Sequence, residues 1–302
     1  MGITENRYIL GVDGGGTKTA FLITDIDGNA VSKLKKPRSN PNDIGIESCI
    51  KLILDGFSEL CAHAVIEKSD VAAIFIGMAG VTANGYKSLI KNAVLNEYKN
   101  AIVEVNHDGV NVLYAAFPYS DGVGVICGTG TSCFVKKNDV LYRIGGYGLF
   151  DLYGGGYEIG RAAISHALRS LDGRDEKSIL SEAVKEKAGF DIIENLSTLI
   201  SSGRSNIASY ALLVYDAYSR GDKYAKSILE LHTAYVAELI NTAGHHFDGK
   251  YNVTLAGSVG KDPLTMKILK PKLSPNAVAS TLDCEPIHGA IARANVLLGK
   301  GF

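Results

Sequence analysis

One pattern occurs twice in this chain and limits what it can become. "GVDGGGTKTAFLITDIDGNAV" (11–31) runs strand, glycine turn, strand and a tight turn at Asp27-Gly28-Asn29. "GVGVICGTGTSCFVKKNDVLYRIGG" (122–146) again runs strand, glycine turn, strand, a turn at Asn138-Asp139, strand. An internal repeat of this kind predicts two α/β domains of one design, with a boundary near 117–121. The expected division is 1–118 and 119–302. The second part carries a mostly helical stretch (155–250), and a closing helix over about 286–299 is placed to pack back on the first domain. Pro286 suits the first turn of that helix.

Periodicity fills in the rest. Residues 46–65 place Ile46, Ile50, Ile53, Leu54, Phe57, Leu60 and Cys61 on one helical face. "VAAIFIGMAG" (71–80) is wholly apolar and suits a strand buried on both faces. "AIVEVNHDGV" (101–110) reads as a strand ending at Asp108, followed by a helix over 109–117 that stops at Pro118. "YNVTLAGSVG" (251–260) is a further buried strand ending in a glycine turn.

Composition excludes several classes. The 302 residues carry 31 Lys+Arg against 32 Asp+Glu, a formal net charge of −1, so neither nucleic acid nor a membrane surface is an expected partner. No apolar run reaches the roughly 18 residues of a membrane span, and the first ten residues have no leader pattern. Five scattered cysteines, none in a C-x-x-C pair, read as buried free thiols of a reducing cytoplasm.

A single glycine turn need do no more than supply positive φ in a hairpin. Three of them, at 13–19, 127–132 and 256–260, stand at corresponding strand ends. Glycines there let backbone N–H groups approach phosphate oxygens, and the Thr and Ser residues that follow add hydroxyls. Asp13 is placed to reach Mg²⁺, which prefers carboxylate oxygens and retains waters. The nucleotide contacts expected are Asp13, Gly14, Gly15, Gly16, Thr17 and Lys18 in the first turn, Gly128, Thr129 and Gly130 in the second, and Gly257 and Ser258 in the third. The P-loop and dinucleotide fingerprints are both absent, the latter because these glycines lead into strands.

The pattern resembles the sugar kinase, Hsp70 and actin superfamily, in which "GVDGGGTKT", "GVICGTGTSC" and "VTLAGSVG" look like the two phosphate motifs and the adenosine motif. More closely, "SNPNDIG" (39–45), "NHDGVNVLYAA" (106–116) and "RIGGYGLFDLYGGGYEIGRAAI" (143–164) resemble N-acetylglucosamine kinases and the related BadF/BadG/BcrA/BcrD ATPase family. The resemblance implies two ribonuclease H-like (actin-like ATPase) domains with a cleft between them, each with a mixed five-stranded sheet. It implies ATP and Mg²⁺ as cofactors and transfer of the γ-phosphoryl to an amino-sugar hydroxyl. It also implies a cytoplasmic homodimer engaged in cell-wall sugar recycling.

By the same resemblance Asp108 is the catalytic base, Asn42, Asp108, Thr129, Gly130 and Asp151 contact the sugar, and Asp13 is the metal ligand. As an ordinary structural residue Asp108 would cap the helix that follows it. The chain departs from the family form at 145–160, which is one residue short and has Leu152 where an acidic residue is usual, so the sugar stays open among N-acetylglucosamine, N-acetylmuramic acid, glucosamine and N-acetylmannosamine. Glu158 and Arg161 read as structural. A dehydratase-activating ATPase with an iron–sulfur cluster is the alternative, for which Cys127 and Cys133 offer no cluster motif.

Overall fold

The computed structural model describes residues 8–151 and 154–299, with Leu149 as backbone only. Leu152, the departure noted above, lies outside the described residues. Two compact units emerge, one of residues up to Ser120 together with those from Leu282 onward, the other Asp121–Thr281.

The first unit is built on β1 (Tyr8–Gly14), β2 (Lys18–Asp25), β3 (Ala30–Pro37), helices α1 (Pro41–Ile44) and α2 (Ile46–Ala64), β4 (Val71–Met78), α3 (Tyr86–Glu97), β5 (Ile102–Asn106) and α4 (Asp108–Ala116). Its sheet runs β3-β2-β1-β4-β5, antiparallel across β3-β2-β1 and parallel across β1-β4-β5. All eight residues of β4 are buried, as a central parallel strand covered on both faces requires. Phe57 of α2 sits edge-on to Phe21 of β2 and to Tyr98, with centroids 5.8 and 5.7 Å apart, anchoring that helix to the sheet.

The second unit repeats the plan with β6 (Gly122–Cys127), β7 (Thr131–Lys137) and β8 (Val140–Ile144). Seven helices intervene or follow: α5 (Gly156–Leu171), α6 (Ile179–Ala188), α7 (Leu196–Ser201), α8 (Arg204–Ser209), α9 (Ala211–Ser219), α10 (Lys223–Ala243) and, after β9 (Tyr251–Ala256), α11 (Pro263–Leu269). β10 (Ala277–Thr281) completes a sheet of order β10-β9-β6-β7-β8, parallel across β10-β9-β6 and antiparallel across β6-β7-β8. The β7–β8 turn has positive φ at both Asn138 and Asp139, the backbone of the two-residue hairpin its sequence predicts.

The last helix, α12 (Ile287–Leu297), packs on α4, β1 and β4 of the first unit. The contact is close: a Cβ at Gly289 would fall 1.7 Å from the Asn111 carbonyl oxygen. Pro286 stands at the cap position, one residue before the first turn. Among the described residues no helix is long and apolar enough to cross a membrane. Cys49, Cys61, Cys127 and Cys133 are buried free thiols, whereas Cys284 is half-buried, so the expectation of burial fails for one of the five.

Candidate active site

The repeat places equivalent turns in both units. In the first, the turn between β1 and β2 is bolted to the segment after the neighbouring parallel strand: Ala79 N–H donates to Gly14 O at 2.8 Å. Ser39 N–H reaches Gly15 O at 3.4 Å, and Gly15 N–H closes the turn on Lys18 O at 3.0 Å. In the second unit the N–H groups of Val259 and Gly260, after β9, both donate to Cys127 O at 3.0 Å. The segments that follow β4 and β9 thus each donate to the neighbouring turn, and the glycines there have positive φ, 80° at Gly80 and 86° at Gly257. A Cβ at Gly257 would lie 2.3 Å from Cys127 O.

All four carbonyls of the Cys127–Gly130 turn are engaged inside the protein. Besides Cys127 O, Gly128 O accepts from Gly156 N–H and Thr129 O from Tyr157 N–H, both at 2.8 Å, and Gly130 O accepts from Gly128 N–H at 3.0 Å. The first N–H groups of α5, ordinarily available to an anion, are spent on this turn. What the turn offers a ligand is consequently poor in acceptors and rich in N–H and hydroxyl donors, the chemistry of a phosphate cradle. A Cβ at Gly128 would meet no atom within 4 Å, so its lack of a side chain serves open space rather than packing.

In the first unit Asp13, near the end of β1, is half-buried, and Asn111 Nδ2 donates to its Oδ1 at 2.7 Å. Burial raises the Asp13 pKa from 3.8 to about 6; the Asn111 hydrogen bond opposes this, the charge of Asp108 adds to it, Lys18 opposes it and Glu285 adds to it. These influences put Asp13, Lys18 and Asp108 in one electrostatic neighbourhood. Glu285, on the approach to α12, joins them without any sequence signal. A half-accessible carboxylate held ionised only against its surroundings suits a divalent cation, whose charge reverses the desolvation cost. Among the described residues no cluster of three His, Cys, Asp or Glu side chains could hold a metal ion. Mg²⁺ fits such a site, since it takes one or two protein carboxylates and completes its shell with phosphates and water.

Linkage gives a test of Asp13. Between 3.8 and about 6 the folded state keeps a proton that the unfolded state releases, so stability falls as pH rises through that window. Asp13→Asn in the nucleotide-free protein should match the parent near pH 4 and exceed it by about 1–3 kcal/mol above pH 7. Denaturant titrations at four pH values measure this; equal stability throughout would mean that Asp13 is already compensated.

Asp108 is the first residue of α4, one position later than a cap. The cap is His107, whose Nδ1 accepts the Gly109 N–H at 3.2 Å. This corrects the capping role expected of Asp108: the strand ends at Asn106, and the short turn hands the cap to the imidazole. Asp108 Oδ1 lies 2.5 Å from His107 Nδ1, but that nitrogen already accepts a hydrogen. Oδ1 is buried and has no hydrogen-bond partner. Asn42 is exposed beside the first turn, its Nδ2 donating to Gly80 O at 3.2 Å. Thr17 and Lys18 are exposed on that turn, and Ser258 on the third.

Thr129, Gly130 and Asp151 share a pocket of about 110 Å³ in the second unit, together with Thr131, Glu158 and Arg204. Asp151 Oδ2 accepts from Tyr147 N–H at 3.4 Å. His232, buried under this loop with its pKa pushed down to about 4 by desolvation, accepts the Gly154 N–H at 3.4 Å. Sequence reading singles out neither His232 nor Asn111. For Asn111 a signal existed: it stands three residues after Asp108, one helical turn on.

Residues 10–292 match the BadF/BadG/BcrA/BcrD ATPase family. The chain belongs to that family. Within reach of this BadF/BadG/BcrA/BcrD-type chain is the N-acetylmuramic acid/N-acetylglucosamine kinase of Clostridium acetobutylicum, 33% identical over 74% of this chain and 75% of the relative. The N-acetyl-D-glucosamine kinase of Dictyostelium discoideum is 27% identical over 95% of this chain and 97% of its own length. A solved chain from Chromobacterium violaceum superposes with a TM-score of 0.76 at 23% identity, covering 99% of this chain and 100% of that one. A ROK family glucokinase from Streptomyces griseus, solved with glucose and AMPPNP, gives 0.61 at 17% identity, covering 96% and 98%. These likenesses establish the doubled actin-like ATPase fold.

Proposed function

We propose that this protein is an ATP-dependent amino-sugar kinase that phosphorylates N-acetylglucosamine on its 6-hydroxyl, with N-acetylmuramic acid as a second substrate. The observation that carries the reading is Asp108 at the head of α4, its Oδ1 buried against the His107 imidazole and its charge felt at Asp13. A carboxylate so placed is suited to take the proton of a sugar hydroxyl. The relatives from Clostridium and Dictyostelium, named as kinases of these sugars, support the choice of acceptor.

In this reading the sugar hydroxyl donates to Asp108, which accepts its proton as the oxygen bonds to phosphorus. Gly14–Lys18 and Gly128–Gly130 hold phosphate oxygens through N–H and hydroxyl groups, and Gly257–Ser258 lies beside the adenosine. Asp13 would hold Mg²⁺, which supplies charge neutralisation to the phosphates. Asn42 and the Thr129–Gly130–Asp151 pocket orient the sugar. The protein is read as a cytoplasmic homodimer of amino-sugar recycling.

The deciding experiment is ADP release with ATP–Mg²⁺ and each of N-acetylglucosamine, N-acetylmuramic acid, glucosamine and N-acetylmannosamine, followed by NMR location of the phosphate. No turnover with any of them would discard the reading. Gly128→Val tests the cradle separately. Its side chain enters empty space, so the variant should fold as the parent does. It should occupy the phosphate position and raise the apparent ATP constant at least about tenfold, since close approach of backbone to phosphate is what the glycine provides. Unchanged ATP binding would remove the second turn from the nucleotide site.

A further inference from the structure

Glu158 sits in the first turn of α5 with its side chain only 3% exposed. Its Oε2 accepts from Arg161 Nε at 3.0 Å, an i,i+3 pair that pins the carboxylate in one orientation. Its Oε1 is buried with no hydrogen-bond partner, yet Glu158 lines the pocket that also holds Thr129, Thr131, Asp151 and Arg204. A structural ion pair alone would leave no reason for an unsatisfied carboxylate oxygen beside a cavity, because buried charged oxygens normally find donors. Whatever enters must therefore bring hydrogens to give.

We infer that Glu158 is a specificity-determining residue of this pocket, its Oε1 accepting a hydrogen from an N–H or O–H group of the bound sugar, with Arg161 as the positioning residue that holds the carboxylate. The inference rests on the reading that this pocket takes the sugar. The ligand class follows from the lining. A hydroxyl, an acylamino N–H or an ammonium group satisfies Oε1, whereas an O-alkyl substituent at that carbon has no hydrogen to offer. An anionic substituent would meet both the carboxylates of Glu158 and Asp151 and the guanidinium of Arg204, which lines the same pocket.

The test is calorimetric titration of glucose, glucosamine and N-acetylglucosamine, and separately of ADP–Mg²⁺, into the parent, Glu158→Met and Glu158→Gln. Methionine keeps the volume and removes a buried charge, and the Arg161 left without its partner is exposed to water. Glu158→Met should weaken the sugar bound by the parent about ten- to hundredfold, the usual worth of a hydrogen bond to a charged group. Glu158→Gln, which keeps an acceptor oxygen without the charge, should fall between the two. ADP–Mg²⁺ binding should not change in either. Which of the three sugars shows the largest loss identifies the donor as hydroxyl, ammonium or acylamino. Sugar affinity within about twofold of the parent in Glu158→Met overturns the inference while leaving the kinase reading intact. A parallel fall in sugar and ADP–Mg²⁺ affinity also overturns it, by showing a structural role. A parent that binds none of the sugars removes both readings together.

Discussion

Asp108→Asn should lower kcat by about 10²–10⁴, the range a positioned general base contributes, while leaving sugar and ATP binding within a few-fold of the parent. The amide keeps the size of the carboxylate and can still hydrogen-bond a hydroxyl, but it cannot take the proton. The helix should survive the change, because its cap is the His107 imidazole and not Asp108. As a negative charge in the first turn of α4, Asp108 contributes about 0.3–1 kcal/mol. Turnover measured alongside equilibrium binding and a denaturant titration separates the roles. A folded variant that binds both substrates and retains kcat within a few-fold would exclude Asp108 as the base. A variant that loses several kcal/mol of stability would instead make Asp108 a structural member of the β5–α4 turn.

The parts of this molecule that read plainly from sequence are those fixed by local chemistry. β4 is a run of eight buried residues with no charged or polar side chain, and the turn at Asn138-Asp139 carries the two residue types that tolerate its positive φ angles. The doubled pattern of strand, glycine turn and strand then supplies the topology of both sheets. β10 shows the limit. A second parallel strand was required in the second sheet, but "AVAST" is five residues long, lies at an edge and is mostly exposed, so it has neither alternation nor a buried run to mark it.

The site divides along the same line. Asp13, Asp108 and the glycines are marked by motif and by position at strand ends. The cap of α4 falls one residue before Asp108, because His and Asp can each accept a backbone N–H and only the folded turn decides which does. Glu158 reads as one more charge on an amphipathic helix until the pocket against Thr129 and Asp151 exists. Asn111 reads as a polar interruption in an apolar helix. Its role depends on three acceptors brought from β1 and β4, some hundred or thirty-four residues away in sequence.

That role gives the second large expectation. Asn111 is fully buried, and its Nδ2 serves Asp13 Oδ1 at 2.7 Å, Val12 O at 3.3 Å and Gly77 O at 3.4 Å. The fit leaves no room for anything larger: a Cβ at Gly77 would come within 2.2 Å of Asn111 Oδ1. One amide thus joins the helix that begins with Asp108 to the strand that carries Asp13. Asn111→Asp keeps the shape and replaces the only donor by an acceptor, setting two carboxylates against each other where a hydrogen bond was. Two such groups cannot both ionise cheaply, so the pair should hold a proton well above the value of about 6 that burial already gives Asp13. The sign follows: the folded pair keeps a proton that the unfolded chain has released, so stability should drop as pH rises. Near pH 5 the shared proton restores a donor, and the variant should melt close to the parent. At pH 8 the loss should reach about 3–5 kcal/mol, the cost of an uncompensated buried charge, or roughly 10 °C in Tm. Thermal melts across that range, with ligand absent, measure it. Melting within about 2 °C of the parent at every pH would show that α4 and β1 are held together without this amide, and that the alignment of Asp108 with Asp13 depends on the packing of α12 against α4 instead.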